Sequence, residues 1–358
     1  MSNLVLESRT ARAPETAQAG ESVLTAHVAP DLAARAERDG WHQLEALPVG
    51  LFASVMGLTG LGVAWDLAHA RYGSPAWIAD AIGWAAMAAF VAVALGYTVK
   101  VVLAPQAVRA EFRHPIAGNL FGTPLISLLL LPIPLAPMSL GLARALWALG
   151  AFGMTVFAWV IVNRWMSERQ QAAHATPAWI VPVVGLLDLP LALPGLGLPS
   201  MHGVMVFGLA VGLFFAVPLF TLIVSRLLFE APIPAALQPS LLILAAPFAV
   251  GFSSYVATTG AVDLFAQSLY ALTLFLLAVL LPRLARFGRS CPFRVAWWAV
   301  SFPLAASAVA GLKLAAEPGW VTDGVALALL ALATLVILWL LVRTLRGLAR
   351  GELRTLSQ

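Results

Sequence analysis

Charge is what this chain has least of. Asp, Glu, Lys and Arg make up 11% of its 358 residues, against about 25% in a soluble domain. Hydrophobic residues make up 61%. One aqueous core cannot hide that much apolar surface, so lipid must solvate part of it. Cysteine is nearly absent as well. The single Cys291 excludes an intrachain disulfide framework and a cysteine-based metal cluster. His27, His42, His69, His174 and His202 are scattered, without metal-ligand spacing. No P-loop, G-x-S-x-G or H-E-x-x-H pattern occurs. With scarcely any acid or base inside its apolar runs, the chain offers an enzyme little to work with. No cofactor is expected.

What the chain has instead is long apolar runs. About 20 such residues cross the hydrocarbon as a helix, and ten runs qualify: 48–68, 76–103, 117–136, 140–163, 178–198, 203–229, 239–259, 263–284, 293–315 and 320–343. The expected fold is all-α and integral to the membrane. Residues 1–46 read as a polar cytoplasmic tail rather than a signal peptide. Its stretch "DLAARAERDGWHQLEAL" forms either a short interfacial helix or a solvated tail. Residues 47–346 hold the ten spans, and 347–358 form a basic cytoplasmic tail.

Charge placement supports that count. With the N-terminus inside, 18 of the 21 Lys and Arg residues fall on inside segments, and only Arg71, Arg144 and Lys313 do not. This is the positive-inside bias of cytoplasmic loops, with both termini cytoplasmic. It also explains the net charge of +4 as topology, so nucleic acid is not an expected partner.

Proline is scarce in every second span. Odd spans contain or begin with it: Pro48, then Pro124 and Pro132, then Pro182, Pro190 and Pro194, then Pro247, then Pro303. Even spans have almost none in their interiors, Pro218 in the sixth being the exception. Proline in a spanning helix is tolerated where the freed carbonyl finds a partner or lines a wet cavity. The pattern reads as five hairpins, each a broken helix then a straight one. The expected arrangement puts the broken helices in an inner ring around a central pore. Packing kinks are the alternative, since proline is common in membrane helices. Gly50, Gly57, Gly60 and Gly62 in the first span suit close helix packing.

Three motifs then carry a resemblance. They are P-x-G-x-F-x-x-x-x-G at Pro48, Gly50, Phe52 and Gly57; E-F-x-H-P at Glu111, Phe112, His114 and Pro115; and W-W-A-x-S-F-P from Trp297 to Pro303. In this order on ten spans, the chain resembles the slow-type anion channel and TehA group, the tellurite-resistance/dicarboxylate transporter family. The resemblance covers about 47–346. It implies five hairpins in quasi-fivefold arrangement, a pore in each subunit of a homotrimer, and the cytoplasmic (inner) membrane. It implies small inorganic or organic anions as partners. It also implies a phenylalanine gate on the ninth span, which falls on Phe302, with Val300 the alternative. Pore-lining positions expected beside the gate are Pro48, Gly50, Pro124, Pro190, Pro247 and Pro303.

An acid at mid-membrane is rare and functional by default. Asp188 lies about 15 Å from the inside end of the fifth span at 1.5 Å per residue. Phe302 lies at a similar expected depth in the ninth. Pro190 frees the carbonyl of Leu186. Burial disfavours the charged form of an acid, so a neutral Asp188 could couple anion movement to a proton. Some relatives do carry dicarboxylates with protons. The alternative is a structural Asp bonded to a freed carbonyl. The family tends to carry an amide near this point, and an acid there is a departure. His114 either gathers anions at the inside face or caps a helix start. Lys313 either attracts anions or snorkels to the interface. Asp66, Asp80 and Asp263 are expected to be solvated at outside ends. Function is expected to be anion conduction; a proton-coupled malate-type or tellurite-linked transporter is the runner-up, and a membrane enzyme or scaffold the third reading.

Overall fold

The computed structural model describes residues 45–287, 292–315 and 319–357. The possible interfacial helix before residue 45, with Arg289 and Cys291, lies outside the described residues. Ten spans occur among them: α1 (Val49–Tyr72), α2 (Ala76–Leu103), α3 (Ala117–Leu135), α4 (Leu140–Ser167), α5 (Pro177–Leu196), α6 (Pro199–Phe229), α7 (Ala235–Thr259), α8 (Leu264–Arg286), α9 (Val295–Leu314) and α10 (Trp320–Ala349). All ten match runs read from the sequence, with ends shifted by a few residues. The described residues contain no strand.

The two sets of spans differ in burial. In their most apolar stretch, odd spans are 61–83% buried and even spans 22–39%. Large apolar side chains on the even spans, such as Phe152, Phe214 and Leu335, stay exposed. An apolar helix that buries only part of its surface needs lipid against the rest. The even spans therefore form the outside of the bundle and the odd spans its interior.

The odd spans are also wound differently. Each opens with a 3-10 segment: Val49–Phe52, Ala117–Phe121, Pro177–Ile180, Ala235–Ala245 and Val295–Val300. A second one, Gly185–Asp188, interrupts α5. Several prolines sit just after such a segment. Pro124, Pro190, Pro247 and Pro303 each occupy the second or third residue of the α-helical stretch that follows. There a missing N–H removes no α-helical bond. The freed carbonyls are satisfied locally by the tighter winding. Leu186 O accepts from the Leu189 N–H and Ile243 O from the Ala246 N–H. Leu120 O accepts from the Thr123 hydroxyl at 2.7 Å. This revises the expectation from sequence. The broken backbone does not need a wet cavity to satisfy these three groups.

Contacts among the odd spans close a cycle: α1 packs on α3, α3 on α5, α5 on α7, α7 on α9, and α9 back on α1. Each also packs on the even span that follows it. Close approach rests on small residues. A Cβ at Gly57 of α1 would overlap Ser301 of α9, and one at Gly60 would lie 2.9 Å from the Ala305 Cβ. On the outer side, a Cβ at Gly208 of α6 would meet the Leu186 carbonyl oxygen at 2.5 Å. Ser301 also donates to Ala53 O at 3.2 Å, tying α9 to α1. We expect Gly57→Val to force these spans apart and cost about 1–3 kcal/mol, the range for overpacking. Thermal unfolding in detergent, compared with the tolerated Gly141→Ala at an open position, checks this.

Candidate functional site

Two cavities lie along the middle of the odd spans. The first, about 300 Å³, opens at their N-terminal ends and we call it proximal. Its wall includes Pro48, Gly50, Thr123, Asp188, Ala246 and Ala299. The second, about 90 Å³, lies further along the same five spans and is the distal cavity; Gly60, Leu130, Leu191, Ser253 and Lys313 line it. Early residues of all five odd spans line the first and later residues the second, so the five run in parallel. No residue of an even span lines either one.

Phe302 and Val250 line both cavities. The Phe302 ring therefore stands between them. It lies against α1, with ring carbons 3.8 and 3.9 Å from where a Cβ on Gly60 would be. Pro303, in the first turn of the α-helical part of α9, lines the proximal cavity beside it. Val300 is fully buried in the wall and lines neither cavity.

Asp188 ends the 3-10 turn Gly185–Asp188 and is 2% exposed. It lines the proximal cavity, as Phe302 also does, and not the distal one. Its Oδ1 has no hydrogen-bond partner. Buried polar atoms are normally paired, and here the freed carbonyl of Leu186 is already taken by Leu189. Pro48 and Gly50 line the proximal cavity as well, whereas Pro124, Pro190 and Pro247 line neither cavity.

His114 stands at the proximal mouth. Its Nδ1 accepts the N–H groups of Ile116 at 3.2 Å and Ala117 at 3.1 Å. It caps the start of α3, the second of its two expected roles, while also facing the cavity. This network assigns its proton to Nε2. Next to it, Glu111 was missed by residue-by-residue reading although it stands in the E-F-x-H-P motif. Its Oε1 accepts the Val49 N–H at 2.7 Å, and its Oε2 accepts from Tyr97 at 3.1 Å and Lys100 at 2.7 Å. Lys100 also donates to Leu47 O at 2.7 Å. This nearly dry ion pair fixes the first turn of α1, which carries Gly50 and follows Pro48, to α2. It also neutralises Lys100, which the charge count had treated as a free topology signal. At the same mouth, Ser357 of the C-terminal helix Leu353–Ser357 reaches the cavity wall.

Lys313 lines the distal cavity at the far end of α9. Arg144 instead caps the end of α5, its Nε donating to Leu196 O at 3.0 Å. Asp263 is not simply solvated: it caps α8 by accepting the Ala266 N–H at 3.0 Å. The Tyr255 hydroxyl, 2.5 Å from Oδ2, holds the Asp263 carboxyl below the usual carboxylate range. Among the described residues no group of His, Cys, Asp and Glu could hold a metal ion.

Two cavities lined by the odd spans meet at Phe302 and Val250, and sequence comparisons identify the family. The family described as voltage-dependent anion channel (SLAC1) matches residues 46–345. The chain belongs to the SLAC1/TehA family. Its relatives include the S-type anion channel SLAH3 of Arabidopsis thaliana, 30% identical over 314 residues, 85% of this chain and 49% of that one. The guard cell S-type anion channel SLAC1 of the same plant is 28% identical over 325 residues, 86% of this chain and 57% of that one. The tellurite resistance protein TehA homolog of Haemophilus influenzae is 25% identical over 313 residues, 86% of this chain and 92% of that one. The chain thus spans about half the length of the plant relatives and nearly all of the bacterial one. Membership in the SLAC1/TehA family places the match across all ten spans.

Proposed function

We propose that this chain conducts small anions through the axis of its five odd spans, closed at Phe302. The observation that carries this reading is the pair of cavities lined by all five odd spans and by no even span, with Phe302 and Val250 common to both. Five hairpins arranged about that axis fit the cycle of contacts. The names of the plant relatives, S-type anion channels, support anions as the cargo. Basic segments at the proximal side make that side cytoplasmic, with both termini there, by the positive-inside bias. The cytoplasmic (inner) membrane and a homotrimer with one path per subunit belong to the same reading, on family grounds.

A second reading, a proton-coupled carrier of small organic anions, is favoured by one observation: the unpaired Oδ1 of Asp188 in the proximal wall. Flux through purified protein in liposomes separates the two. Chloride, nitrate, malate and tellurite are compared at two pH values. The channel reading expects flux that follows each anion's own gradient. Saturable malate uptake driven by a proton gradient is the outcome that replaces it with the carrier, and the lack of any flux would sink both.

A further inference from the structure

The distal cavity holds two polar groups that no contact among the described residues explains. Ser253 is 3% exposed, and its Oγ has no hydrogen-bond partner. Serines in an apolar span ordinarily bond back to a carbonyl one turn earlier. Ser127 does so to Thr123 O and Ser307 to Pro303 O, at 2.8 and 2.7 Å. Ser253, which lines the distal cavity, does not. Lys313 lines the same cavity. None of the ion pairs among described residues uses its ammonium. The rest of that wall is apolar, with Val63, Leu130, Ile133 and Val309 among it.

We propose that the distal cavity binds one small monovalent anion between the Lys313 ammonium and the Ser253 hydroxyl. The inference rests on the anion-path reading and names its resting site. A charge-assisted bond from lysine and a neutral one from serine supply the donors. A cavity of about 90 Å³ holds a halide or nitrate with a water or two, since one water needs about 10–15 Å³ of such space. The wall offers one cation, where a dicarboxylate would call for two. Apolar walls return little hydration energy, so weakly hydrated anions should bind best, nitrate ahead of chloride.

The test titrates nitrate and chloride calorimetrically into the purified full chain, alongside nitrate flux in liposomes. Lys313→Met is expected to weaken nitrate binding by about tenfold or more, in line with loss of a charged donor, and Ser253→Ala by about fivefold. Lys313→Arg should keep most of the affinity, which separates charge from folding. Should Lys313→Met fail to fold, Ser253→Ala and Lys313→Gln carry the test. Nitrate affinity unchanged in these variants, or chloride bound more tightly than nitrate, overturns the site. The path is judged separately. Wild-type liposomes that pass nitrate while the variants bind it normally sink the site and leave the path standing. Liposomes that pass no anion, even with Phe302→Ala, sink the path, and Lys313-dependent binding in the same preparation would still support the site.

Discussion

Phe302→Ala raises anion flux in liposomes by at least about tenfold, a barrier change of about 1.4 kcal/mol. The ring stands between cavities of about 300 and 90 Å³ whose walls come from the same five spans. Trimming it to a methyl joins them. An apolar constriction closes by shedding water, so widening it acts on the rate before any selective contact is touched. The wall itself should survive. Phe302 is only partly buried, because it faces the cavities, and the close α1–α9 seam runs through Gly57 and Ser301. Phe302→Leu, which leaves a smaller plug, falls between wild type and alanine. Val300→Ala is the control, because that side chain sits in the wall away from both cavities. It leaves flux near wild type and pays the usual core penalty of about 0.5–3 kcal/mol. Equal flux from wild type and a well-folded Phe302→Ala would remove the gate. Opening by Val300→Ala instead would move it two residues back.

The ten spans were legible because lipid thickness imposes a length that composition shows directly. The division into inner and outer spans was legible too, through proline. The winding of the inner spans was not. A proline shows where an α-helical ladder begins but says nothing of the turn before it, and a 3-10 segment has no composition of its own. That is why the carbonyls freed by Pro190 and Pro247 looked in need of a cavity, when i+3 bonds satisfy them. Asp188 was legible as an acid inside an apolar span, but the cavity that it lines was not. Phe302 was legible only by motif, and Val250 carried no signal at all. Glu111 stood in a motif, yet its partners Lys100 and Tyr97 lie on α2 and the Val49 N–H on α1. Ser253 looked like any serine in an apolar run; it lacks a back-bond, as Ser254 does, and its place on the distal cavity wall marks it.

Asp188→Asn is expected to flatten the pH dependence of anion flux, raising flux wherever the wild-type carboxyl is ionised. The carboxyl lines the proximal cavity with an unpaired Oδ1, and among the described residues no Lys or Arg of the cavity wall neutralises it. An ionised carboxylate there opposes an anion. Two unit charges about 8 Å apart at an effective dielectric of about 20 interact by about 2 kcal/mol, more than a factor of about ten in rate. A proton on Asp188 removes that opposition, so wild-type flux rises as the pH on the proximal side falls. Asparagine keeps the shape and carries no charge, so its flux stays high throughout. His114, the other titratable group on that wall, has its Nδ1 committed to the cap of α3, and His114→Asn separates its contribution from that of Asp188. Recording proton movement with an internal pH dye extends the test. A passive path moves no proton with the anion, whether or not Asp188 is present. A carrier moves protons with malate and loses that coupling in Asp188→Asn. If the variant keeps the wild-type pH profile while expressing normally, Asp188 acts on neither the barrier nor a proton, and the charge on the path must be set by other groups.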